Sequence, residues 1–422
     1  MEQLEQLIKK ATSPFHTVKA VKERLKEHGF TELSMSDTWE LQKGGMYVLE
    51  QYGSTLFAWT VGTEYSRGDS LRMAAAHGDF PGFCIKPNPD MEKEGYVLVN
   101  TEGYGGAILN SWCDRPLSAA GRVVIKSEDA FRPEVRLVDL RKPVCTIPNV
   151  AIHLNREVNK GVELKKQTHM LPIIGQAGEY GGFLTYLAKE LGVEKEDILD
   201  YELYLYNTDA PKKVGMAEEF YSAPRLDDLT AVSAVTEGLL RGKRERGIHL
   251  IAIFDHEEVG SRTKQGAGTQ MLSHVLDKIY LSLGLTREDY YAALADGMLL
   301  SVDVSQGYHP SYGEKYDPTN HNLLNHGFSI KRAASQSYAT DSEAIGIVKQ
   351  ICRENGIPYQ DFTNQSDIQG GSTLGAIATA FVPVRTVDIG VPILAMHSAR
   401  ETMGVKDQAS MTAFVCAFFS QA

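Results

Sequence analysis

The sequence predicts an α/β protein: an α/β/α sandwich with a largely parallel sheet, interrupted by an inserted β-rich domain. Three observations carry that expectation. From about residue 215 onward, short apolar runs alternate with helical ones, the pattern of a sheet whose strands are joined by helices. Between roughly 90 and 215, segments such as GRVVIKS and EVRLVDL alternate apolar and polar residues, as half-exposed strands do. Segments rich in His, Asp and Glu flank that middle stretch on both sides. The chain therefore divides into 1–90, 91–215 and 216–422, with the two outer parts forming one unit. A length of 422 residues already favours more than one core.

The first 35 residues read as helix. SPFHTVKAVKERLKEHGF places Val18, Val21 and Leu25 on one face, with Gly29 as the stop. LRMAAA (71–76) follows a set of strand-like runs and ends abruptly in HGDFPG. GIHLIAIFD (247–255), GMLLSVDV (297–304) and VRTVDIG (384–390) read as buried strands. LDDLTAVSAVTEGLLRGKRE (226–245) reads as an amphipathic helix with Leu229, Val232, Thr236 and Leu239 on its apolar face. TDSEAIGIVKQICRENG (340–356) opens on a capping box of Thr340 and Glu343 and ends at Gly356.

Composition excludes several function classes. A net charge of -11 argues against a nucleic-acid footprint. No apolar run reaches the ~18–20 residues that cross a bilayer, and the N-terminus lacks the apolar core of a secretion signal. Cys84, Cys113, Cys145, Cys352 and Cys416 are odd in number, widely spaced and without CxxC. They suit free thiols in a reducing compartment, so the expected location is cytoplasmic and any metal must be held by nitrogen and oxygen.

Ligands of open α/β sheets collect at the carboxyl ends of strands. His77 and Asp79 follow one strand, Asp255, His256, Glu257 and Glu258 another, Asp303 a third, and His397 an apolar segment containing proline. Asp227 and Asp228 open a helix, where carboxylates also suit the dipole. Each has a commoner use alone: a strand-end His is usually a hydrogen-bonding residue, and an Asp at a helix start usually caps it. Their conjunction with Gly- and Pro-rich turns points to a metal site. GGSTLG (370–375) lacks the Lys and spacing of a phosphate loop and reads as a tight turn entering a helix. GSRTKQGAGT (260–269) reads as a Gly-rich loop beside the site.

AAHGDFPGFCIKPNP, SAPRLDDL, DHEEVGS and AMHSARE together resemble the M18 aminopeptidases, the aspartyl aminopeptidase family. The likeness runs from SPFHTV through YGGAILNSWCDRPLSAAGRV and IPNVAIHLNR to SDIQGGSTLG. It implies a hydrolase acting on peptides with two zinc ions per subunit. His77 and Asp303 would hold one ion, Glu258 and His397 the other, and Asp227 both. Glu257 would be the general base and Asp79 would orient His77. The inserted domain would mediate dimerisation, with His153 reaching a neighbouring subunit's active site. The assembly implied is a dodecamer built from dimers.

The charge balance agrees independently. Two divalent ions bring four positive charges, Asp227, Glu258 and Asp303 bring three negative ones, and a bridging hydroxide would neutralise the remainder. Oxygen and imidazole donors also admit cobalt or manganese. The same constellation would serve a carboxypeptidase or a deacylase.

Preference for an acidic first residue needs a fixed cation. FSIKRAASQSYAT (328–340) supplies Lys331 where the family has a lysine, and His309 in GYHP matches a family histidine near Asp303. Ser337 and Gln365 stand where relatives usually have Arg. Aminopeptidase activity with acidic N-termini preferred is the expectation, and a broad or neutral specificity the alternative.

Overall fold

The computed structural model describes residues 1–161, 163–178 and 181–421. Among these residues the largest sheet has nine strands. In spatial order they are Thr31–Leu33, Met46–Gln51, Thr55–Val61, Ile248–Phe254, Leu71–His77, Met298–Val302, Arg385–Gly390, Phe328–Lys331 and Tyr359–Phe362. Four adjacent strands, from Ile248–Phe254 to Arg385–Gly390, run parallel. Antiparallel partners flank them: Thr55–Val61 on one side and Phe328–Lys331 on the other.

Helices cover both faces of this sheet. Successive side chains of a strand face opposite layers. Ile251 and Ile253 join one core with Ala74 and Ala76, while Leu250 and Ala252 join the other with Met73 and Ala75. Burial on both sides is why these strands read as unbroken apolar runs. Helices Glu2–Lys10, Pro14–Glu27, Leu226–Arg241, Ser342–Asn355 and Val405–Phe418 close the first core. Met271–Ser282 and Arg287–Ala295 close the second.

Two local expectations need correction. Helix Leu226–Arg241 is not amphipathic in effect: residues from Leu226 to Leu239 are all buried. Val405–Phe418 and Glu2–Lys10 pack on the side that an isolated helix would show to water. Helix Ser342–Asn355 is capped by Asp341, whose carboxylate accepts the Ala344 N–H at 2.8 Å. Thr340 instead accepts the Asp388 N–H at 2.9 Å, and Glu343 pairs with Arg385 at 2.8 Å. The start signal was present, one residue later than the box implied.

A second sheet is antiparallel throughout. Its order is Glu134–Asp139, Leu117–Ile125, Ile198–Asn207, Gly82–Lys93, Tyr96–Tyr104 and Ile173–Gln176. It has its own core, in which Phe83 meets Trp112 edge-on at 5.3 Å and helix Phe183–Leu191 supplies Phe183 and Leu187. Its strand Gly82–Lys93 starts five residues after His77, so the sheet reaches into the range 1–90.

A third, small sheet joins Lys212–Val214, Phe220–Ala223, Glu401–Gly404, Pro392–Leu394 and Ser305–Gln306. It gathers three chain segments far apart in sequence. Sequence periodicity did not reveal it, because its strands are only two to four residues long.

Candidate active site

The parallel strands end at one edge of the nine-stranded sheet, and the chemistry collects there. His77 is the last residue of its strand, Asp255–Glu258 follow Ile248–Phe254, and Asp303 follows Met298–Val302. The small sheet delivers the rest. Phe220–Ala223 leads into Asp227, and His397 lies on the connection between Pro392–Leu394 and Glu401–Gly404.

Asp227 stands at the centre. Its Oδ1 lies 3.3 Å from His77 Nε2 and its Oδ2 lies 3.4 Å from His397 Nε2. On the His77 side, Asp303 Oδ1 is 3.7 Å and Asp228 Oδ2 3.9 Å from the same Nε2. On the His397 side, Glu258 Oε2 is 3.4 Å from Nε2. The five residues proposed from sequence thus meet as two groups sharing one carboxylate, here called the inner half (His77, Asp303) and the outer half (Glu258, His397).

Neighbours fix these side chains. His77 Nδ1 lies 3.0 Å from the Asp79 carbonyl, which leaves Nε2 of a neutral imidazole unprotonated towards the acids. The Asp79 carboxylate accepts the N–H groups of Glu257 and Glu258, both at 3.1 Å, and the Tyr104 hydroxyl at 2.7 Å. It therefore sets the turn Glu257–Val259 that separates the two adjacent glutamates. The pair Gly105–Gly106 allows close approach. A Cβ on Gly105, whose φ is +65°, would lie 3.2 Å from Glu258 Cβ, and one on Gly106 would lie 3.4 Å from His397 Nδ1.

The field here calls for positive charge. Burial alone would depress His77, but the carboxylates of Asp228, Asp227, Asp303 and Asp79 hold it well above the usual imidazole range. Burial pushes Glu257 up to about 8, with Asp303, Asp79 and Asp227 adding to it against His77. Asp228 and Glu258 are likewise pushed well above the carboxylate range, by burial first and by neighbouring acids next. Among the described residues, Asp227 Oδ1, Asp228 Oδ1 and Glu258 Oε1 are buried and have no hydrogen-bond partner, a costly arrangement unless something else binds them. Ligand atoms of His77, Asp227, Asp228 and Asp303 lie within 4.8 Å of one another, as do those of Asp227, Glu258 and His397. Oxygen and imidazole donors in this arrangement fit divalent zinc.

A cleft of ≈ 610 Å³ opens over the acids and is lined by Glu257, His309, Lys331, Tyr338 and Ile377 among others. The comparisons with known proteins decide its family. The family model described as "Aminopeptidase I zinc metalloprotease (M18)" matches residues 7–419. The chain belongs to this M18 family. It is 44% identical over 407 residues to "Probable M18 family aminopeptidase 2" of Clostridium novyi (strain NT), covering 95% of this chain and 94% of the relative. A protein of the same name from Pseudomonas aeruginosa (strain UCBPP-PA14) is 37% identical over 420 residues, covering 98% and 96%. Among solved structures, that of the Ape4 and Nbr1 complex matches with a TM-score of 0.94 at 31% identity, covering 99% of this chain and 84% of that one. The S. cerevisiae mApe1 dodecamer matches with a TM-score of 0.86 at 25% identity, covering 99% and 95%. The chain is thus a zinc metalloprotease-type aminopeptidase of M18.

The remaining predicted residues of this M18 aminopeptidase fall in different places. Lys331 is buried, with Nζ 3.5 Å from Asp303 Oδ2 and donating to the Val304 carbonyl at 3.0 Å. Burial would lower it, yet Asp303 and Asp388 keep it above its ordinary value, so it stays charged. His309 lines the cleft, its Nδ1 accepting the Ser311 N–H at 3.2 Å. His153 is exposed on a turn and is not among the residues lining the cleft of its own chain.

Sequence reasoning gave no role to Asp228, Tyr104 or Glu401. Asp228 was visible as the second acid of RLDD, but one helix-start carboxylate looks like the next. Tyr104 comes from the second sheet, and its contact with Asp79 depends on tertiary packing. Glu401, in AMHSARE, accepts the Asp227 N–H at 3.1 Å and the His397 N–H at 2.8 Å. Its only sequence signal is a spacing of four from His397.

Proposed function

We propose that this M18 aminopeptidase removes the N-terminal residue of peptides at a pair of divalent ions. Zinc is the proposed metal, with cobalt or manganese as the alternatives. The observation that carries the reading is the posture of Asp227, with one oxygen towards each histidine. His77 and Asp303 would hold one ion, Glu258 and His397 the other, and Asp227 both. Ions bound there would polarise the scissile carbonyl and lower the pKa of a coordinated water towards ~7.

The chain's own groups do the rest. Glu257 lines the cleft and serves as general base, taking a proton from water and returning it to the leaving amine. A carboxyl that burial has already pushed upward is suited to both halves of that transfer. Asp79 keeps Glu257 and Glu258 on separate tasks by binding both of their N–H groups. Glu257→Gln is expected to retain metal while kcat falls by about 10²–10⁴-fold. Unchanged turnover removes Glu257 from this role. Peptides with acetylated N-termini should be ignored, and their cleavage would refute the aminopeptidase reading of the site.

For the first side chain we propose a preference for Asp or Glu, supported by Lys331 in the cleft wall. A neutral preference is the second reading, favoured by the apolar remainder of that wall: Ile108, Ile377, Ile393, Leu394 and Met396. Aspartyl and leucyl chromogenic substrates, assayed side by side, separate the two.

The proposed assembly is a dodecamer built from dimers, as the mApe1 relative is a dodecamer. The second sheet, spanning about 82–207, would dock the dimer and place His153 at a partner's site. Val150, Ile152 and Leu154, around His153, are 60%, 49% and 83% exposed, an apolar turn suited to burial against another copy. A cytoplasmic location is proposed from the five free cysteines. No helix among the described residues is long and apolar enough to cross a membrane.

A further inference from the structure

We infer that Glu401 is a positioning residue that clamps Asp227 and His397 into register, so that the outer half can bind its ion. The inference rests on the two-ion reading above and adds a residue that touches neither the ions nor the substrate.

The geometry is a double acceptor. Glu401 is 1% exposed. Its Oε2 takes the N–H of Asp227 and its Oε1 that of His397. Both N–H groups lie outside regular helix and strand pairing, although the His397 carbonyl accepts the Ile108 N–H at 3.0 Å and the Ser398 N–H closes a turn on the Ala395 carbonyl at 2.9 Å. Asp227 lies in the first turn of helix Leu226–Arg241, where N–H groups have no partner within the helix, and its backbone is not helical. His397 has a φ of +66°, and Ala395, two residues earlier, +57°. Non-glycine residues adopt that left-handed region only where their surroundings hold them in it. The His397 ring is oriented by a 3.3 Å contact from Nδ1 to the Gly106 carbonyl and, at Nε2, by Asp227 Oδ2 and Glu258 Oε2, both 3.4 Å away. One carboxylate therefore couples two segments 170 positions apart and sets the spacing of Asp227 Oδ2 and His397 Nε2.

The chemistry favours a carboxylate at this position. Each oxygen of a carboxyl group keeps a lone pair with which to accept an N–H, so both can face donors. A carboxamide would turn its NH₂ against one of them. Arg225 shares a small cavity with Glu401 and Asp227. Its guanidinium is buried 5.4 Å from the Phe80 ring and 5.5 Å from that of Tyr206. Burial lowers Arg225, and Tyr206, Asp139 and Glu401 work against that loss of its charged form. In the inner half the Asp228 carboxylate likewise accepts the His77 N–H, at 3.2 Å, but His77 and Asp303 also sit at strand ends, where the Asp303 N–H pairs with the Ile389 carbonyl at 3.0 Å.

The test counts ions. The full chain and its Glu401→Gln variant are equilibrated in zinc buffers of stepped free concentration, and bound zinc per chain is measured by elemental mass spectrometry. Wild type should bind two ions. In the variant the first ion should bind as before and the second about 10–100-fold more weakly, with kcat recovering as free zinc is raised. A residue that merely supported the fold would not weaken one ion selectively, nor be rescued by zinc. Equal affinity for the second ion in both proteins overturns the assignment. Fewer than two ions in wild type refutes the two-ion reading instead, so the two failures are distinguishable. A second measurement needs no variant: in zinc-free wild type the Asp227 and His397 amides should exchange slowly with deuterium, since the clamp precedes the ion. Fast exchange of both overturns it.

Discussion

The inner and outer halves of the site use the same kinds of donor but are built differently. Inner His77 ends a central strand and its side chain is 1% exposed, whereas outer His397 lies on a loop and is 30% exposed. Inner Asp303 is backed by the Lys331 ammonium at 3.5 Å. Outer Glu258 sits on a short turn that depends on Asp79, against the Gly105–Gly106 approach of the second sheet. The inner half inherits its geometry from the parallel sheet, while the outer half is assembled by hydrogen bonds between loops. Sites held by rigid elements are more precise than sites held by loops, so the inner half should bind more tightly and the outer half should be the one that exchanges and can be tuned.

The largest effect should come from the residue common to both halves. Asp227→Ala is expected to lose both ions and to lower kcat/KM on the order of 10⁴-fold, a loss of several kcal/mol of transition-state stabilisation. Retention of two ions by that variant would break the comparison, because the halves would then be independent. Next come the histidines. His397→Ala should keep one ion through dialysis against a moderate chelator, whereas His77→Ala should keep neither or only a weak one. Equal losses would show that exposure does not rank the halves.

Legibility in the sequence follows the same division. The inner residues were readable because strand ends are readable: LRMAAAH and LLSVDV announce a buried strand and then a polar ligand. The parallel strands were legible through their unbroken apolar runs. The third sheet was not, since strands as short as Ser305–Gln306 carry no periodicity. Glu401, whose action depends on that sheet, was missed with it. The second sheet was legible as alternation, but its first strand, Gly82–Lys93, contains two prolines and several charged residues and hid the point at which the chain leaves the first sheet. Helix Leu226–Arg241 misled for a tertiary reason: the helices that cover its outer face come from the two chain ends.

Lys331 offers a smaller but discriminating effect. As a reader of acidic side chains it should matter for aspartyl substrates alone. As the partner of Asp303 it should matter for every substrate through the inner ion. Lys331→Met is expected to lower kcat for leucyl and aspartyl substrates alike by about 10–100-fold, with an added rise in KM for the aspartyl one. A loss confined to aspartyl substrates would free Lys331 from the inner half and give it to the specificity pocket.

The smallest effect concerns the metal-free protein, whose stability should depend on pH through groups at the outer half and beside it. Glu257 and Glu401 have ordinary values of 4.5, and burial carries both to about 8. A carboxyl that holds its proton more tightly when folded loses that advantage as pH climbs from its unfolded to its folded value, so each contributes less stability between 4.5 and 8. His397 moves from 6.5 to about 9: burial opposes the rise, and Asp227 drives it by hydrogen bond and charge. Its contribution is complete below 6.5 and gone above 9. All three therefore act in one direction from pH 6.5 to 8, and the melting temperature of chelated protein should fall by a few °C across that window. Zinc takes over the charge balance of these acids, so the loaded protein should show a much flatter profile. His397→Ala should flatten the chelated profile in part, because only the imidazole's share is removed. A chelated protein whose melting temperature rises from pH 6.5 to 8 would mean that these groups do not carry the buried charge of the site, and the contrast between its halves would lose its electrostatic basis.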